Sequence, residues 1–147
     1  MRVAGPDEMP AIALLRSRWS GTQADGVFEH RLSEWLAAEG DRRTTWLAWR
    51  GEHPIGMASL FEYRRMPRPG RADSRWGYLS NMFVAEEFRN QGVGSALLDA
   101  IIQAARGRAY ARILLSPSER AIPFYLRAGF LIPDASAGAD RLLVLPL

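Results

Sequence analysis

The stretch FVAEEFRNQGVGSALLDAI, residues 83–101, constrains the fold more than any other part of the sequence. A strand-like apolar run ends, Arg89 and two glycines follow, and an apolar-periodic helix then begins. Because glycine costs about 0.5–1 kcal/mol relative to alanine inside a helix, Gly92 and Gly94 need a compensating role at this helix start. An anion bound at the unpaired N–H groups of the helix N-terminus would supply that role.

Two well-known phosphate loops do not fit this turn. The P-loop pattern requires Gly-Lys-Ser/Thr, but Gly94 is followed by Ser95, and all 19 basic residues of the chain are arginine. The dinucleotide fingerprint requires Gly or Ala three residues after Gly94, where this chain has Leu97. The turn therefore predicts an anion site of another kind, and a glycine turn that binds nothing is the alternative.

The composition excludes several classes of protein. With 147 residues, 48% of them hydrophobic, we expect a single folded domain over residues 1–147. The chain has no cysteine and only two histidines, so we expect no disulfide, no thiolate nucleophile and no metal. No apolar run approaches the roughly 20 residues that span a bilayer, and the start of the chain lacks a signal-peptide pattern. We therefore expect a cytoplasmic protein. Its net charge of +3 favours anionic ligands without indicating nucleic acid.

Hydrophobic periodicity predicts the order β-α-α-β-β-β-α-β-α-β-β, which is typical of a mixed sheet flanked by helices in the α/β or α+β class. The predicted helices are residues 6–19, 25–40, 94–108 and 118–129, and the predicted strands are residues 1–4, 44–50, 54–63, 76–85, 110–116, 130–132 and 141–147. Residues 64–75, which contain five arginines, are predicted to form a loop. Gly40 and Gly129 are expected to end the second and fourth helices.

The segment FVAEEFRNQGVGSALL, residues 83–98, strongly resembles motif A of the GNAT superfamily of acetyl-CoA-dependent N-acyltransferases, with its pattern Arg/Gln-x-x-Gly-x-Gly/Ala. Downstream, SERAIPFYLRAGF, residues 118–130, resembles the family's motif B, with its Ala, its aromatic-Tyr pair and its closing Gly-Phe. The resemblance covers nearly the whole chain. It implies the GNAT fold, in which two parallel strands, here residues 76–85 and 110–116, splay apart at the cofactor cleft.

The resemblance implies acetyl-CoA as the co-substrate. Main-chain groups of Phe83 and Val84, the matching strand positions of motif A, are expected to bind the pantetheine arm. The pyrophosphate is expected on the N–H groups of residues 91–95. The predicted cofactor-binding residues are Phe83, Val84, Arg89, Asn90, Gln91, Gly92, Val93, Gly94, Ser95, Ser118 and Tyr125. Ser118 stands where many members have Asn, and an N-cap of the fourth helix is its alternative role.

The resemblance also implies catalytic residues. Tyr125 matches the family tyrosine that protonates or hydrogen-bonds the departing sulfur, which a hydroxyl of pKa about 10 can do at neutral pH; simple packing is the alternative. Glu62, near the end of a predicted strand, is the candidate general base. Glu29 and His30 on the second helix are alternatives. Asn81 lies where some members carry an acid, but an amide cannot take a proton at neutral pH.

We therefore expect an N-acetyltransferase that moves the acetyl group to a primary amine of a small molecule or a protein N-terminus, by direct attack in a ternary complex. An acyl-CoA-binding sensor without transfer activity is one alternative, and a different acyl donor such as succinyl- or propionyl-CoA is another. Nucleic acid and membranes are not expected partners, and homodimers are common in the family.

The sequence leaves the acceptor open. The arginines of residues 64–75 either form a solvated loop or select an acceptor that carries a carboxylate or a phosphate. Trp19 and Trp35, on the first two helices, are candidates to line the acceptor pocket, although tryptophans more often anchor a core.

Overall fold

The computed structural model describes residues 1–4, 6–133 and 142–147. The strands are β1 (Arg2–Val3), β2 (Arg43–Arg50), β3 (His53–Arg64), β4 (Arg75–Val84), β5 (Arg112–Leu115) and β6 (Leu143–Pro146). The helices are α1 (Met9–Ser20), α2 (Gly26–Glu39), α3 (Val93–Gly107) and α4 (Ile122–Arg127), with short 3-10 turns at Pro6–Glu8, Glu86–Phe88 and Glu119–Ala121. The four predicted helices and the loop between β3 and β4 are confirmed.

The strands form one six-stranded mixed sheet in the order β1-β2-β3-β4-β5-β6. β1 is antiparallel to β2, β4 is parallel to β5, and β5 is antiparallel to β6. The parallel pair needs a long crossover, which the chain makes through α3. The predicted class, a mixed sheet flanked by helices, is confirmed.

The predicted strand at residues 130–132 is wrong. Leu131 forms only an isolated bridge with Val144, in which each N–H donates to the other residue's carbonyl. Pro133 follows two residues later and has no N–H with which to continue a ladder. Of the last predicted strand, residue 141 lies outside the described residues.

The chain divides into two compact units. The first contains Met1–Ser59 and Asn81–Asp99, and the second contains Leu60–Ser80 and Ala100–Leu147. β3, β4 and α3 each run through both units. The single domain over residues 1–147 stays a prediction.

In the first unit, α1 provides a large part of the core. Its buried residues Ile12 and Leu15 pack with Leu47, Met57 and Phe83 from three strands. The helix ends at Ser20 and is capped by Gly21, which has a left-handed φ of 73° and donates its N–H to the Ser17 carbonyl.

α2 is built differently from α1. Its N-cap, Asp25, accepts a hydrogen bond of 2.8 Å from the N–H of Phe28, a contact that stabilises helix starts. The helix ends at Glu39, as expected, but Gly40 keeps right-handed φ and ψ angles of −53° and −33° rather than a left-handed cap. None of the α2 residues is fully buried, so its apolar face does not complete a closed core.

In the second unit, Gly77 allows β4 to pack closely against its neighbours. A Cβ atom at Gly77 would lie 2.6 Å from Leu60 Cδ1 and 3.3 Å from Tyr110 Cδ2. Both of these side chains are buried. They therefore have little room to move aside.

We predict that Gly77→Ala lowers the free energy of unfolding by about 1–3 kcal/mol, because it overpacks this contact. Urea unfolding measures the change. Gly107→Ala is the matched control: no atom lies within 4 Å of its Cβ position, at the last residue of α3, so we expect unchanged or slightly higher stability. Equal stabilities of the two variants would contradict this account of the packing.

Candidate active site

The start of α3 presents free hydrogen-bond donors. The first internal bond of the helix joins the N–H of Ala96 to the carbonyl of Gly92 at 3.0 Å. The N–H groups of Val93, Gly94 and Ser95 therefore have no partner inside the helix. Together with the positive end of the helix dipole, they favour an anion at this position.

Two left-handed residues shape the turn that leads into the helix. Asn90 has φ of 60° and Gly92 has φ of 83°, a region that glycine and asparagine adopt more readily than other residues. No atom lies within 4 Å of the Cβ position of Gly92. The missing side chain therefore leaves open space beside the free N–H groups.

Arg89 lies beside this turn, and two contacts hold one side of its guanidinium group. Its Nε donates to the Val84 carbonyl at 2.9 Å, and its guanidinium carbon lies 5.8 Å from the centre of the Phe83 ring. The exposed side chain keeps its two terminal nitrogens as donors for an anion. The Val84 carbonyl, a main-chain group predicted to bind the pantetheine arm, therefore already accepts one hydrogen bond.

Gln91 supports the turn through its side chain. Its Nε2 donates to the Glu87 carbonyl at 3.0 Å, and its Oε1 accepts from Arg50 at 3.4 Å. The Glu87 carboxylate pairs with Arg18, and that hydrogen bond lowers the pKa of Glu87. Gln91 therefore positions the turn through its side chain, and its main-chain N–H is the group predicted to bind a phosphate.

A row of stacked side chains runs from α1 to the turn. The Arg16 guanidinium lies 4.9 Å from the centre of the Trp19 ring. The Trp19 ring stacks on Phe83 at 5.4 Å with an interplanar angle of 13°, and Arg89 approaches Phe83 at 5.8 Å. Trp19 therefore supports the strand that precedes the turn.

The first unit also contains a cavity of about 560 Å³. The lining residues are Ile12, Arg16, Phe28, Arg31, Leu32, Glu34, Trp35, Leu36, Thr45, Met57, Ser59 and Asn81. The apolar face of α2 forms one wall, which explains why that face is only partly buried. Such a volume is typical of sites for small molecules.

The strands contribute polar side chains to this cavity. Thr45 on β2 and Ser59 on β3 are both buried, and their hydroxyl oxygens are hydrogen-bonded at 2.9 Å. Asn81 on β4 has φ of 55°, an unusual angle inside a strand, and strained residues of this kind concentrate at functional sites.

In the second unit, Tyr125 is 5% exposed. Its ring makes edge-to-face contacts with Phe124 at 5.0 Å and Phe130 at 5.6 Å. Burial raises the pKa of Tyr125 to about 12, so the hydroxyl keeps its proton at neutral pH. Ser118 makes no side-chain cap hydrogen bond to the turn that follows it, so the alternative role as a side-chain N-cap is wrong.

Glu62, also in the second unit, is tied to two arginines. Its carboxylate accepts a hydrogen bond from Arg64 at 2.8 Å and lies 3.7 Å from Arg75. Burial alone would raise the pKa of Glu62, but hydrogen bonds from Arg64 and Tyr110 and the two arginine charges outweigh it and lower that pKa. These contacts favour a structural anion, and a role as general base stays a prediction.

The arginine loop surrounds a smaller cavity of about 280 Å³ in the second unit. It is lined by Arg64, Arg65, Pro67, Asp73, Ser74 and Arg75. Because Arg64 and Arg75 pair with Glu62, part of the positive charge of this loop is neutralised within the protein. Arg68 and Arg71 lie in a turn of this loop, in which the Arg71 N–H donates to the Arg68 carbonyl at 3.3 Å.

Comparison with known proteins decides the family. The family model described as "Acetyltransferase (GNAT) family" matches residues 10–130. This chain belongs to the acetyltransferase (GNAT) family. A glucosamine 6-phosphate N-acetyltransferase from Trypanosoma brucei brucei is 32% identical over 76 residues, which is 52% of this chain and 50% of that relative. The chain thus spans about half the length of this curated relative.

Solved structures share the GNAT fold. A predicted acetyltransferase from Clostridium acetobutylicum, solved with acetyl-CoA, has a TM-score of 0.75 at 21% identity and covers 93% of this chain and 92% of its own. The PaiA N-acetyltransferase from Thermoplasma acidophilum, solved with coenzyme A, has a TM-score of 0.71 at 13% identity and covers both chains completely.

The structure groups the predicted site residues of this GNAT chain in two sets. The turn residues 89–95 lie in the first unit with Phe83 and Val84, whereas Ser118, Tyr125 and Glu62 belong to the second. Trp35 lines the cavity, as predicted, while Trp19 stacks on Phe83 instead.

Among the cavity residues of this GNAT chain that sequence reasoning missed are Arg16, Arg31, Thr45 and Ser59. Arg16 follows Ile12 by one helical turn, and Arg31 directly precedes Leu32 on the apolar side of α2. This helical spacing could have predicted that the two arginines lie beside the apolar faces of their helices. Thr45 and Ser59 lie close together only because β2 and β3 are neighbours in the sheet.

Two further findings concern the described residues of this GNAT chain. In residues 1–4, 6–133 and 142–147, three or more His, Cys, Asp or Glu side chains nowhere cluster as a metal site would require. Within the same ranges, every helix is too short or too polar to cross a membrane.

We predict that Gly92→Ala weakens binding of acetyl-CoA by about tenfold or more, because its methyl group enters the space beside the free N–H groups. Calorimetric titration measures the Kd. Gly51→Ala is a matched control: Gly51 also has a left-handed φ, 59°, and free space around it, but lies in the turn between β2 and β3. Both variants should lose about 1–2 kcal/mol of stability from backbone strain, and equal loss of affinity in both would contradict a ligand role for Gly92.

We predict that Glu62→Gln lowers Tm at neutral pH. Because the pKa of Glu62 is lowered by folding, its stabilisation is present above the unfolded value of about 4.3 and is lost as pH falls through the folded value. The Tm difference between wild type and variant should therefore shrink in acid, as thermal melts across pH can show. Glu52→Gln, in an exposed turn, is the control. A loss of kcat by about 10²-fold or more at unchanged Tm would instead support the general base.

Proposed function

We propose that this protein transfers an acetyl group from acetyl-CoA to a primary amine of a small molecule. The observation that carries the proposal is the start of α3, where three N–H groups without helical partners lie beside open space at Gly92. A diphosphate fits these donors, and Arg89 adds a full positive charge next to them.

The cavity of the first unit is the proposed acceptor site. Asn81 lines it and lies on β4 two residues before Phe83, where the pantetheine arm is predicted to bind. An amine in the cavity and a thioester along β4 would therefore meet at the same strand. The volume favours a small molecule over a protein N-terminus.

In the proposed reaction, the neutral amine nitrogen attacks the thioester carbonyl carbon. A C–N bond forms, the C–S bond breaks, and the ammonium proton leaves to solvent or to a base while coenzyme A departs as the thiolate or thiol. A main-chain N–H near Met82 or Phe83 is the proposed donor to the oxyanion, where the developing charge needs one.

Tyr125 is the proposed partner of the leaving sulfur. Because burial raises the pKa of Tyr125 to about 12 while an ordinary thiol has a pKa of about 8.5, complete transfer of the tyrosine proton to the thiolate would be unfavourable. We therefore assign Tyr125 a hydrogen bond to the sulfur. The final thiol proton then comes from the ammonium or from solvent.

The acceptor itself is the finer part of the proposal. The Trypanosoma relative is a glucosamine 6-phosphate N-acetyltransferase by name, so glucosamine 6-phosphate is the first amine to test on this chain. Assays with succinyl-CoA and propionyl-CoA test which acyl group the protein transfers. A cytoplasmic location and a homodimer stay predictions.

Thiol release from acetyl-CoA in the presence of an amine panel tests the proposal. We expect turnover with at least one amine, and we expect Tyr125→Phe to lower kcat by about 10- to 100-fold, the value of one hydrogen bond to a developing charge. Tyr63→Phe, at a half-exposed tyrosine of β3, is the control. Binding of acetyl-CoA without turnover on any amine would instead favour an acyl-CoA sensor, and full kcat in Tyr125→Phe would remove that residue from the mechanism.

A further inference from the structure

We infer that the cavity of the first unit selects amine acceptors that carry an anionic group, a carboxylate or a phosphate, held by Arg16 and Arg31. This inference rests on the proposed function, because it names the class of acceptor for the same site. It assigns selectivity to two arginines of α1 and α2 rather than to the arginine loop of residues 64–75.

Two arginines from different helices line the same cavity. Arg16 lies on α1 and Arg31 on α2, and both line the cavity wall. Arginine stays charged at all relevant pH values and presents a planar fork of donors that matches carboxylate and phosphate oxygens. Two such groups around one cavity make an anion the matching ligand.

The charge balance of the lining is positive. Its one acidic residue is Glu34, so the two arginines and Glu34 sum to one net positive charge. Glu34 already has a partner, since its Oε1 lies 3.3 Å from His30 Nε2 one helical turn earlier. The cavity's own acid therefore leaves at least one arginine charge uncompensated.

Arg16 is held in place before a ligand arrives. Its guanidinium lies over the Trp19 ring at 4.9 Å, and that ring stacks on the buried Phe83. A side chain fixed in this way loses less rotamer entropy when it binds an anion. The same stack leads to Arg89 at the predicted pyrophosphate turn, so both anion positions share one aromatic support.

The remaining walls suit a molecule with a compact polar part. Thr45 and Ser59 are buried, and their mutual hydrogen bond uses only one of their two hydroxyl hydrogens. The second hydrogen and the remaining lone pairs are available to hydroxyl or amine groups of an acceptor. The partly buried apolar face of α2 covers the rest of the ligand.

The arginines of the loop are less suited to this task. Arg64 and Arg75 engage the Glu62 carboxylate, so an incoming anion would compete with an existing partner. In contrast, Arg16 packs against the neutral ring of Trp19. This difference favours the helix arginines as the specificity residues.

Matched pairs of amines test the inference. Ethanolamine and O-phosphoethanolamine differ by a phosphate, and phenylethylamine and phenylalanine differ by a carboxylate. In wild type, we expect the anionic member of at least one pair to have a KM lower by about tenfold or more, as charge-assisted hydrogen bonds imply. The pair that shows the preference identifies whether phosphate or carboxylate is the recognised group.

Arg16→Gln and Arg31→Gln should each raise the KM of the anionic amine far more than the KM of its neutral partner, and should so remove most of this preference. Both residues are exposed, so thermal melts should show that both variants still fold cooperatively. Arg42→Gln, an exposed arginine of the turn after α2 that lies outside the cavity lining, is the control and should keep the preference.

Calorimetry with the same four amines, with and without coenzyme A, separates this inference from the proposed function. Failure of acetyl-CoA to bind would remove the proposed function. Acetyl-CoA binding combined with equal affinity for both members of each pair, or with no binding of any amine at millimolar concentration, would overturn the anionic acceptor. A preference that survives in both glutamine variants but disappears in Arg68→Ala would assign it to the loop instead.

Discussion

The close packing of the start of α3 against β3 and β4 is the constraint on which the candidate site depends. Gly56 on β3 makes it possible: a Cβ atom there would lie 3.2 Å from the Phe83 carbonyl oxygen and 3.3 Å from Val93 Cγ1. Contacts this close leave no room for a side chain, so the first turn of the helix is held directly beside the strand. The free N–H groups of the helix and the main chain of β4 therefore face one region of the first unit.

Residues near one another in the chain were predictable. The strand, the glycine turn and the apolar helix of residues 83–101 follow from local periodicity and from the conformational demands of Gly92. The positions of α1 and α2, and the break at residues 65–74, follow from the same kind of signal. The family resemblance then placed the cofactor residues on this frame, and the family membership is confirmed.

Features that depend on distant residues were not predictable. The positions of Arg16 and Trp19 are fixed only when α1 packs against Phe83, a residue far from α1 along the chain. The sequence predicts Glu62 as a general base, but in the structure Arg75 on the next strand pairs with its carboxylate. The Ser118 hydroxyl and the Thr45–Ser59 pair depend on side-chain angles and strand register, which periodicity does not determine.

Amide chemical-shift mapping by NMR tests the central claim most directly, with coenzyme A and with pantetheine, which lacks the diphosphate. We expect coenzyme A to shift the N–H signals of Val93, Gly94 and Ser95, and we expect pantetheine to leave those three signals in place. Identical shifts with both ligands, or signals at residues 93–95 that do not move with coenzyme A, would contradict the assignment of the diphosphate to the start of α3.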